Sequence, residues 1–393
     1  MTSSVDAKSN SFRRILDRIE LASVAVLISS VCATLVMIEI LLRLFPSVLP
    51  EEARLRIHWR EIEEKTSSIR HPYLGFLLPP RQSGTRTGTD FTFTFNTDEH
   101  GFRNRPPWPP AAEIVVAGDS MVFGYGVDDA QAWTNRLSER LPVSRIVNLG
   151  LIGGAPQQYL RAFESFGVAL KPKLFIFGLF PGNDFNDTEQ FDNWLNAGSP
   201  GNYDVWRFFG GETPSRVKGF LERSYLVVLL RTVRNSFRFP FSGITIESPD
   251  GQRLQLAPHA YGRQAAKASP SQATFRRVIA IVERASSLAR ANGAQFLVLL
   301  FPTKEEVYLP LHGHPAPDLV GPVAKALAGR NIPYFDLTAP LQGAARAASA
   351  PLYFEIDGHP NDRGYQAIAK AVYDRLAKNR QAYGLTDWDS KPR

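Results

Sequence analysis

From Glu113 onward, short and largely apolar runs alternate with segments whose apolar residues recur every three or four positions. Ile114–Ala117, Arg145–Asn148, Leu174–Phe180, Gln295–Phe301 and Ile332–Phe335 read as strands covered on both faces, since a strand with no solvent side needs no polar alternate. Between them lie helical stripes: Trp133, Leu137 and Leu141 behind a cap at Asp128, Val278, Val282 and Ala285 within Phe275–Leu288, and Tyr365, Ile368, Val372 and Leu376 behind a cap at Asn361. This alternation predicts a mostly parallel sheet with helices on both sides, a three-layer α/β/α domain over residues 113–378 followed by a tail at 379–393.

The third and fourth strands are further apart than one crossover needs, so an insertion is expected at about 186–271. It holds Trp194, Trp206, Phe208 and Phe209, a helix over Leu226–Val233, and a hairpin of Ile244–Ile246 with Arg253–Leu256 about the turn Pro249-Asp250-Gly251. Its aromatics read as core, with a sugar-facing role for Trp206 or Phe208 as the alternative. Residues 46–112 fit no doubly wound pattern: Glu51–Arg70 reads as a juxtamembrane helix, Phe91–Phe95 alternates as a half-buried strand, and the proline-rich Pro106–Pro110 is a stiff boundary.

The pattern at the start is of another kind. Leu21–Ile38 carries no charge, and the apolar stretch runs on to Phe45 before Pro46. As a helix, Leu21–Phe45 spans roughly 37 Å, enough to cross a bilayer. It is longer than a secretory signal core and lacks a small-residue cleavage site, so residues 19–45 read as a retained anchor behind a tail at 1–18. Glu39 and Arg43, four apart, pair on one face and reach water at the helix end; the alternative is a polar contact with a partner helix. Lys8, Arg13, Arg14 and Arg18 before the span favour a cytoplasmic N-terminus, although Arg54, Arg56 and Arg60 follow it. In a bacterium that puts the body in the periplasm, tethered to the inner membrane.

Composition changes this picture little. The 393 residues carry a formal net charge of +7. Lys and Arg are scattered and no nucleic-acid motif accompanies them, so nucleic acid is not an expected partner. Cys32 is the single cysteine, which excludes an internal disulfide and a cysteine-based metal site. Asp184 with Asp187, and His312 with His314, lack the further ligands a metal site needs, so no metal is expected.

The strand ends carry the chemistry. Open α/β sheets bind ligands outside the carboxyl ends of their strands. Gly118-Asp119-Ser120 ends the first strand, Gly153 lies just past the second, Gly182-Asn183-Asp184 just past the third, and Asp357-Gly-His359 just before the last helix. A serine hydroxyl needs a base to take its proton, a group to orient that base, and donors for the developing oxyanion. Ser120 is the candidate nucleophile, His359 the base and Asp357 its orienting acid; the donors are the Ser120 and Gly153 backbone N–H groups and the Asn183 amide. Asp119 reads as a brace for its loop.

On these blocks the chain resembles the SGNH/GDSL hydrolase superfamily, whose serine, glycine, asparagine and histidine match Ser120, Gly153, Asn183 and His359. The resemblance covers about Glu113–Leu376 apart from the insertion, and implies a flavodoxin-like sheet. Tyr73–Phe76 and Asn96–Arg103 are similar to the lead-in of membrane-anchored bacterial members. The family's last block is usually Asp-x-x-His; here Ile356 holds that place and the acid is Asp357, a shortened form found in polysaccharide O-acetyltransferase-like branches. The resemblance implies a serine esterase acting on carboxylic esters without a cofactor, an acetyl ester of a cell-envelope glycan being the expected substrate. The alternatives are an O-acetyltransferase using the same side chains and a non-catalytic envelope module.

Overall fold

The computed structural model describes residues 3–50, 53–54, 57, 68–88, 90–141, 145–208, 223–238, 243–256 and 270–385. The chain divides into two compact units, one of Met1–His58 with Pro214–Pro240 and one of Trp59–Thr213 with Phe241–Arg393.

The larger unit is built on a five-stranded parallel sheet: β1 (Ile114–Gly118), β2 (Ile146–Gly150), β3 (Leu174–Leu179), β4 (Gln295–Leu300) and β5 (Tyr334–Asp336), in spatial order β5-β4-β3-β1-β2. The strand order reverses at β1, which pairs with β2 on one side and β3 on the other. A crevice opens at such a reversal, because the following crossovers leave to opposite faces.

Strand periodicity divides the core in two. Val115, Ala117, Val147, Leu149, Phe175 and Phe177 point to the face covered by the Gln272–Ala291 and Val320–Ala328 helices. Ile114, Val116, Leu174, Ile176, Leu297 and Leu299 point to the other, against Trp133, Leu137 and the predicted stripe Tyr365, Ile368, Val372 and Leu376. That stripe belongs to the Asp362–Lys378 helix, whose cap Asn361 accepts from Arg363 and Gly364 N–H.

Two expectations are corrected. Asp128 does not cap the Trp133–Arg140 helix, whose N-cap is Ala132. It opens a single 3-10 turn instead, and its carboxylate accepts from the N–H (2.7 Å) and hydroxyl (2.9 Å) of Thr94 on a neighbouring strand. Ile69 and Arg70 do not continue a helix from Glu51; they lie in a strand, Ile69–His71, paired with Gly75–Leu77. Most of Glu51–Thr66 lies outside the described residues, with Ala53, Arg54 and Ile57 helical.

The half-buried strand is Thr92–Asn96, with Phe93 and Phe95 inward. Within the insertion, Ile244–Glu247 pairs with Arg253–Leu256 as the pattern predicts, and Trp194 (1% exposed) and Trp206 (8%) are core. The side chain of Phe208 and all of Phe209 lie outside the described residues.

In the smaller unit a helix runs from Ser3 to Leu44, of which Ser23–Leu44 is long and apolar enough to cross a membrane. Its end packs on a second helix, Tyr225–Arg238, through Leu42, Val228, Ile38 and Leu229. Glu39 and Arg43 do pair, at 2.7 Å. They also bind that second helix, so the partner-helix alternative describes them better than water alone.

Candidate active site

β1 ends at Gly118, and the chain turns at once into a four-residue helix, Ser120–Phe123. Asp119 caps it, accepting from Met121 N–H at 2.9 Å, which is the bracing role expected of it. The turn puts the Ser120 side chain at the carboxyl edge of the sheet, and its backbone N–H, in a first helical turn, has no intrahelical acceptor. The helix lies very close to the strands. A Cβ on Gly118 or Gly178 would strike the Val122 side chain, and one on Gly150 would strike the backbone of Phe123. Asn148 fixes the contact: its amide donates to Val122 O (2.9 Å) and its Oδ1 accepts from Gly150 N–H (2.8 Å).

Three of the candidates meet in series. The Ser120 hydroxyl and His359 Nε2 are 2.7 Å apart, and His359 Nδ1 lies 2.6 Å from Asp357 Oδ1. The same oxygen accepts the His359 backbone N–H at 2.8 Å, which fixes the carboxylate against the loop that carries the imidazole. All three residues are buried: Ser120 and His359 are 5% exposed and Asp357 6%. Burial pushes the Asp357 carboxyl up, but the His359 charge, the two His359 hydrogen bonds and the nearby Lys304 outweigh it, so Asp357 sits below the usual carboxylate range. A carboxylate held ionised there favours the tautomer with the proton on Nδ1, which leaves Nε2 free to accept from Ser120.

Gly153 follows β2 in a turn at φ +63°, a conformation that suits glycine. Its carbonyl accepts from the Arg207 guanidinium, which also pairs with Asp204 at 2.8 Å. Asn183 follows β3 at the N-cap position of the Asp184–Asn196 helix, yet its side chain makes no capping bond. Its Oδ1 is buried without a partner, and its amide lies beside the Asp119 carboxyl.

Below Asn183 sits a cluster of buried acids. Burial pushes Asp119 up to about 6, against the pull of the Met121 N–H, His359 and Asn183. Burial and the Asp119 charge push Asp184 well up, although Tyr159 O–H (2.6 Å) and Phe180 N–H (2.7 Å) donate to it. Burial raises Asp187 to about 7, with Arg207 pulling it down and Asp119 pushing it up. Among the described residues no group of three or more His, Cys, Asp or Glu side chains is placed to hold a metal ion.

Sequence reasoning missed the residues that hold the loops carrying Ser120 and His359. Arg103, 2% exposed, donates to the carbonyls of Gly124 (2.6 Å), Val127 (2.6 Å) and Phe123 (3.2 Å), tying down the chain behind Ser120. It belongs to the Asn96–Arg103 lead-in, which gives that motif a physical role. Lys304, 4% exposed, donates to three successive carbonyls of the loop carrying Asp357 and His359: Glu355 (3.2 Å), Ile356 (2.8 Å) and Asp357 (3.2 Å). Asp90 accepts the Ile356 N–H at 2.7 Å.

Residues 116–367 match the model of the GDSL-like lipase/acylhydrolase family. No curated protein sequence matches the chain. Solved structures similar to it include a member of the lipolytic G-D-S-L family from Veillonella parvula DSM 2008, at 14% identity over 68% of this chain and 100% of that one, with a TM-score of 0.34. A GDSL-like lipase from Bacteroides thetaiotaomicron VPI-5482 is 12% identical over 70% and 92%, with a TM-score of 0.34. A catalytic mutant of an acetylxylan esterase from Geobacillus stearothermophilus is 11% identical over 68% and 95%, with a TM-score of 0.33. At such scores these likenesses add no weight to the family match.

Proposed function

The chain belongs to the GDSL-like lipase/acylhydrolase family and is a hydrolase acting on esters, and we propose that it is a membrane-anchored serine esterase that removes acetyl groups from a cell-envelope polysaccharide. The observation that carries the catalytic assignment is the unbroken line from the Ser120 hydroxyl through His359 to Asp357, at 2.7 and 2.6 Å.

In this reading the Ser120 oxygen attacks the ester carbonyl carbon while its proton passes to His359 Nε2. The carbonyl electron pair moves to oxygen, which is held by the N–H groups of Ser120 and Gly153 and the Asn183 amide. The intermediate collapses, the sugar alcohol leaves with the proton from His359, and the acetyl group stays on Ser120. Water then attacks, giving its proton to His359, and acetate leaves as the serine is restored. Asp357 stabilises the imidazolium at both stages without taking the proton.

A small acyl group fits a nucleophile only 5% exposed. The envelope substrate is supported by the Ser23–Leu44 helix, read here as a retained span of a bacterial inner membrane. Lys8, Arg13, Arg14 and Arg18 before it, against Arg54, Arg56 and Arg60 after it, favour a cytoplasmic N-terminus and a periplasmic body.

The same enclosure favours a second reading, transfer of the acetyl group to a glycan hydroxyl, because a shielded acyl-enzyme meets an acceptor before bulk water. Labelling with a serine-directed fluorophosphonate tests the shared core: wild type should react and Ser120→Ala should not. Equal labelling of both removes Ser120 from the reaction. An acetyl donor supplied with and without glycan then separates the two readings: acetate release without acceptor marks the esterase, and glycan acetylation outrunning acetate marks the transferase.

A further inference from the structure

We propose that the Tyr225–Arg238 helix is a second membrane-contacting element, lying at the lipid–water boundary with its apolar stripe among acyl chains and its arginines at anionic phosphate headgroups. The inference rests on the reading of Ser23–Leu44 as a membrane span.

The first support is the attachment. The Glu39 carboxylate accepts from the backbone N–H of Tyr225 (3.0 Å) and Leu226 (3.0 Å) and from the Ser224 hydroxyl (2.8 Å). It therefore does for this helix what an N-cap side chain does, and it places a negative charge at the positive end of the helix dipole. Arg43, bound to Glu39, donates to Arg223 O at 2.8 Å and lies 4.9 Å over the Tyr225 ring. Glu39 and Arg43 stand in the last two turns of the apolar helix, which ends at Leu44. The start of the second helix is thus fixed level with the end of the span.

The second support is how that helix distributes its residues. At 100° per residue it has three faces. Val228 (7% exposed) and Thr232 (2%) are buried. Leu230 and Val233 lie on the next face, 59% and 38% exposed, while Leu226 on the same side packs part-buried against the Leu42–Val228 cluster. Arg231 and Arg234 form the third, and both are exposed. The span to which this helix is fixed also ends in exposed apolar residues, Ile40, Leu41, Leu44 and Phe45. Exposed apolar residues on a helix fixed to the end of a span, with arginines along one side, match an anionic bilayer surface, where long basic side chains reach phosphate while the stripe stays in hydrocarbon.

The test uses the full chain in lipid nanodiscs of mixed phosphatidylglycerol and phosphatidylcholine. An environment-sensitive fluorophore is placed on native Cys32, or, in a Cys32→Ser background, on Leu230→Cys or on the water-exposed control Lys370→Cys. Nitroxide on lipid chains and aqueous iodide serve as opposing quenchers, and fluorophosphonate labelling of Ser120 certifies folding. The label at 230 should follow Cys32, quenched by lipid nitroxide and shielded from iodide. A label at 230 that behaves like the one at 370, while Cys32 is lipid-quenched, overturns the proposal alone and leaves the surface to a protein partner. A Cys32 label open to iodide overturns the span reading and this proposal with it. Arg231→Gln and Arg234→Gln should each weaken docking about fivefold in anionic discs, and not in pure phosphatidylcholine. An equal response in both lipids overturns the headgroup assignment.

Discussion

Replacing Lys304 by methionine isolates the contribution of loop positioning to catalysis. Methionine keeps the length and volume of the buried stem and deletes the three donors that hold the carbonyls of Glu355, Ile356 and Asp357. A hydrogen bond from a charged donor contributes about 1.5–3 kcal/mol, so the deletion removes several kcal/mol of gross interaction. Much of this is returned, because burial works against the Lys304 ammonium and already pulls its pKa down. The net loss of stability should be about 1–3 kcal/mol. Turnover should suffer more. Without Lys304 the loop still keeps Ile356 N–H to Asp90 at 2.7 Å, Gln255 N–H to Glu355 O at 2.8 Å and Phe354 N–H to His359 O at 3.2 Å, but loses the side chain that gathers three of its carbonyls. A drift of about 1 Å in the orienting acid costs on the order of a hundredfold in rate. If His359 is the base, as proposed, Lys304→Met should lower kcat on an acetyl ester about a hundredfold, with KM nearly unchanged, since Lys304 holds the His359 loop and not bound substrate. Steady-state kinetics on p-nitrophenyl acetate and a thermal melt read both numbers. A folded variant with wild-type kcat would show that the loop holds its geometry without the lysine, and the positioning argument would fail.

Three further outcomes follow from the site. Asn183→Ala should cut kcat by about a thousandfold with little change in melting temperature, as expected for one lost oxyanion donor; near-normal turnover by the folded variant excludes Asn183 from the oxyanion site. Ser120→Ala should abolish both fluorophosphonate labelling and ester turnover, measured on the same preparation. Asp187, raised from 3.8 to about 7, keeps its proton in the folded state while the unfolded chain releases it, so stability falls as pH rises across that window. The shift of about three units corresponds to a loss of at most about 4 kcal/mol. Asp187→Asn should remove that slope and be the more stable protein at about pH 8 but not at about pH 4; parallel denaturation midpoints for the two proteins across the range would refute it.

What the sequence discloses and what it hides divide along a physical line. β1, β3 and β4 are visible because both of their faces are covered, which leaves unbroken apolar runs. Ser120, Gly153, Asn183 and His359 are visible because each follows such a run or precedes a helix with a clear cap. Lys304 and Arg103 leave no comparable trace, since apart from the Arg103–Asp129 ion pair what they bind is backbone carbonyl, and any sequence supplies carbonyls. Asp128 and Glu39 show the same limit from the other side. Each carries the local pattern of one role, a helix cap or an i,i+4 pair. Each is also engaged by a remote segment, Thr94 on a neighbouring strand or the start of the Tyr225–Arg238 helix. Arg70 was misplaced because a charged stretch looks alike on a helix and on a short edge strand.

The seat beneath the Ser120–Phe123 helix is defined by atoms that are missing. Gly118, Gly150 and Gly178 stand side by side at the ends of β1, β2 and β3, and at each of them even one methyl group would collide with the helix above. The height of Ser120, the proposed nucleophile, over the sheet is therefore a fixed dimension of this scaffold. Natural drift or laboratory redesign that seeks a roomier acyl chamber has no freedom in the floor and must work through the surrounding loops, where the walls are made of replaceable side chains.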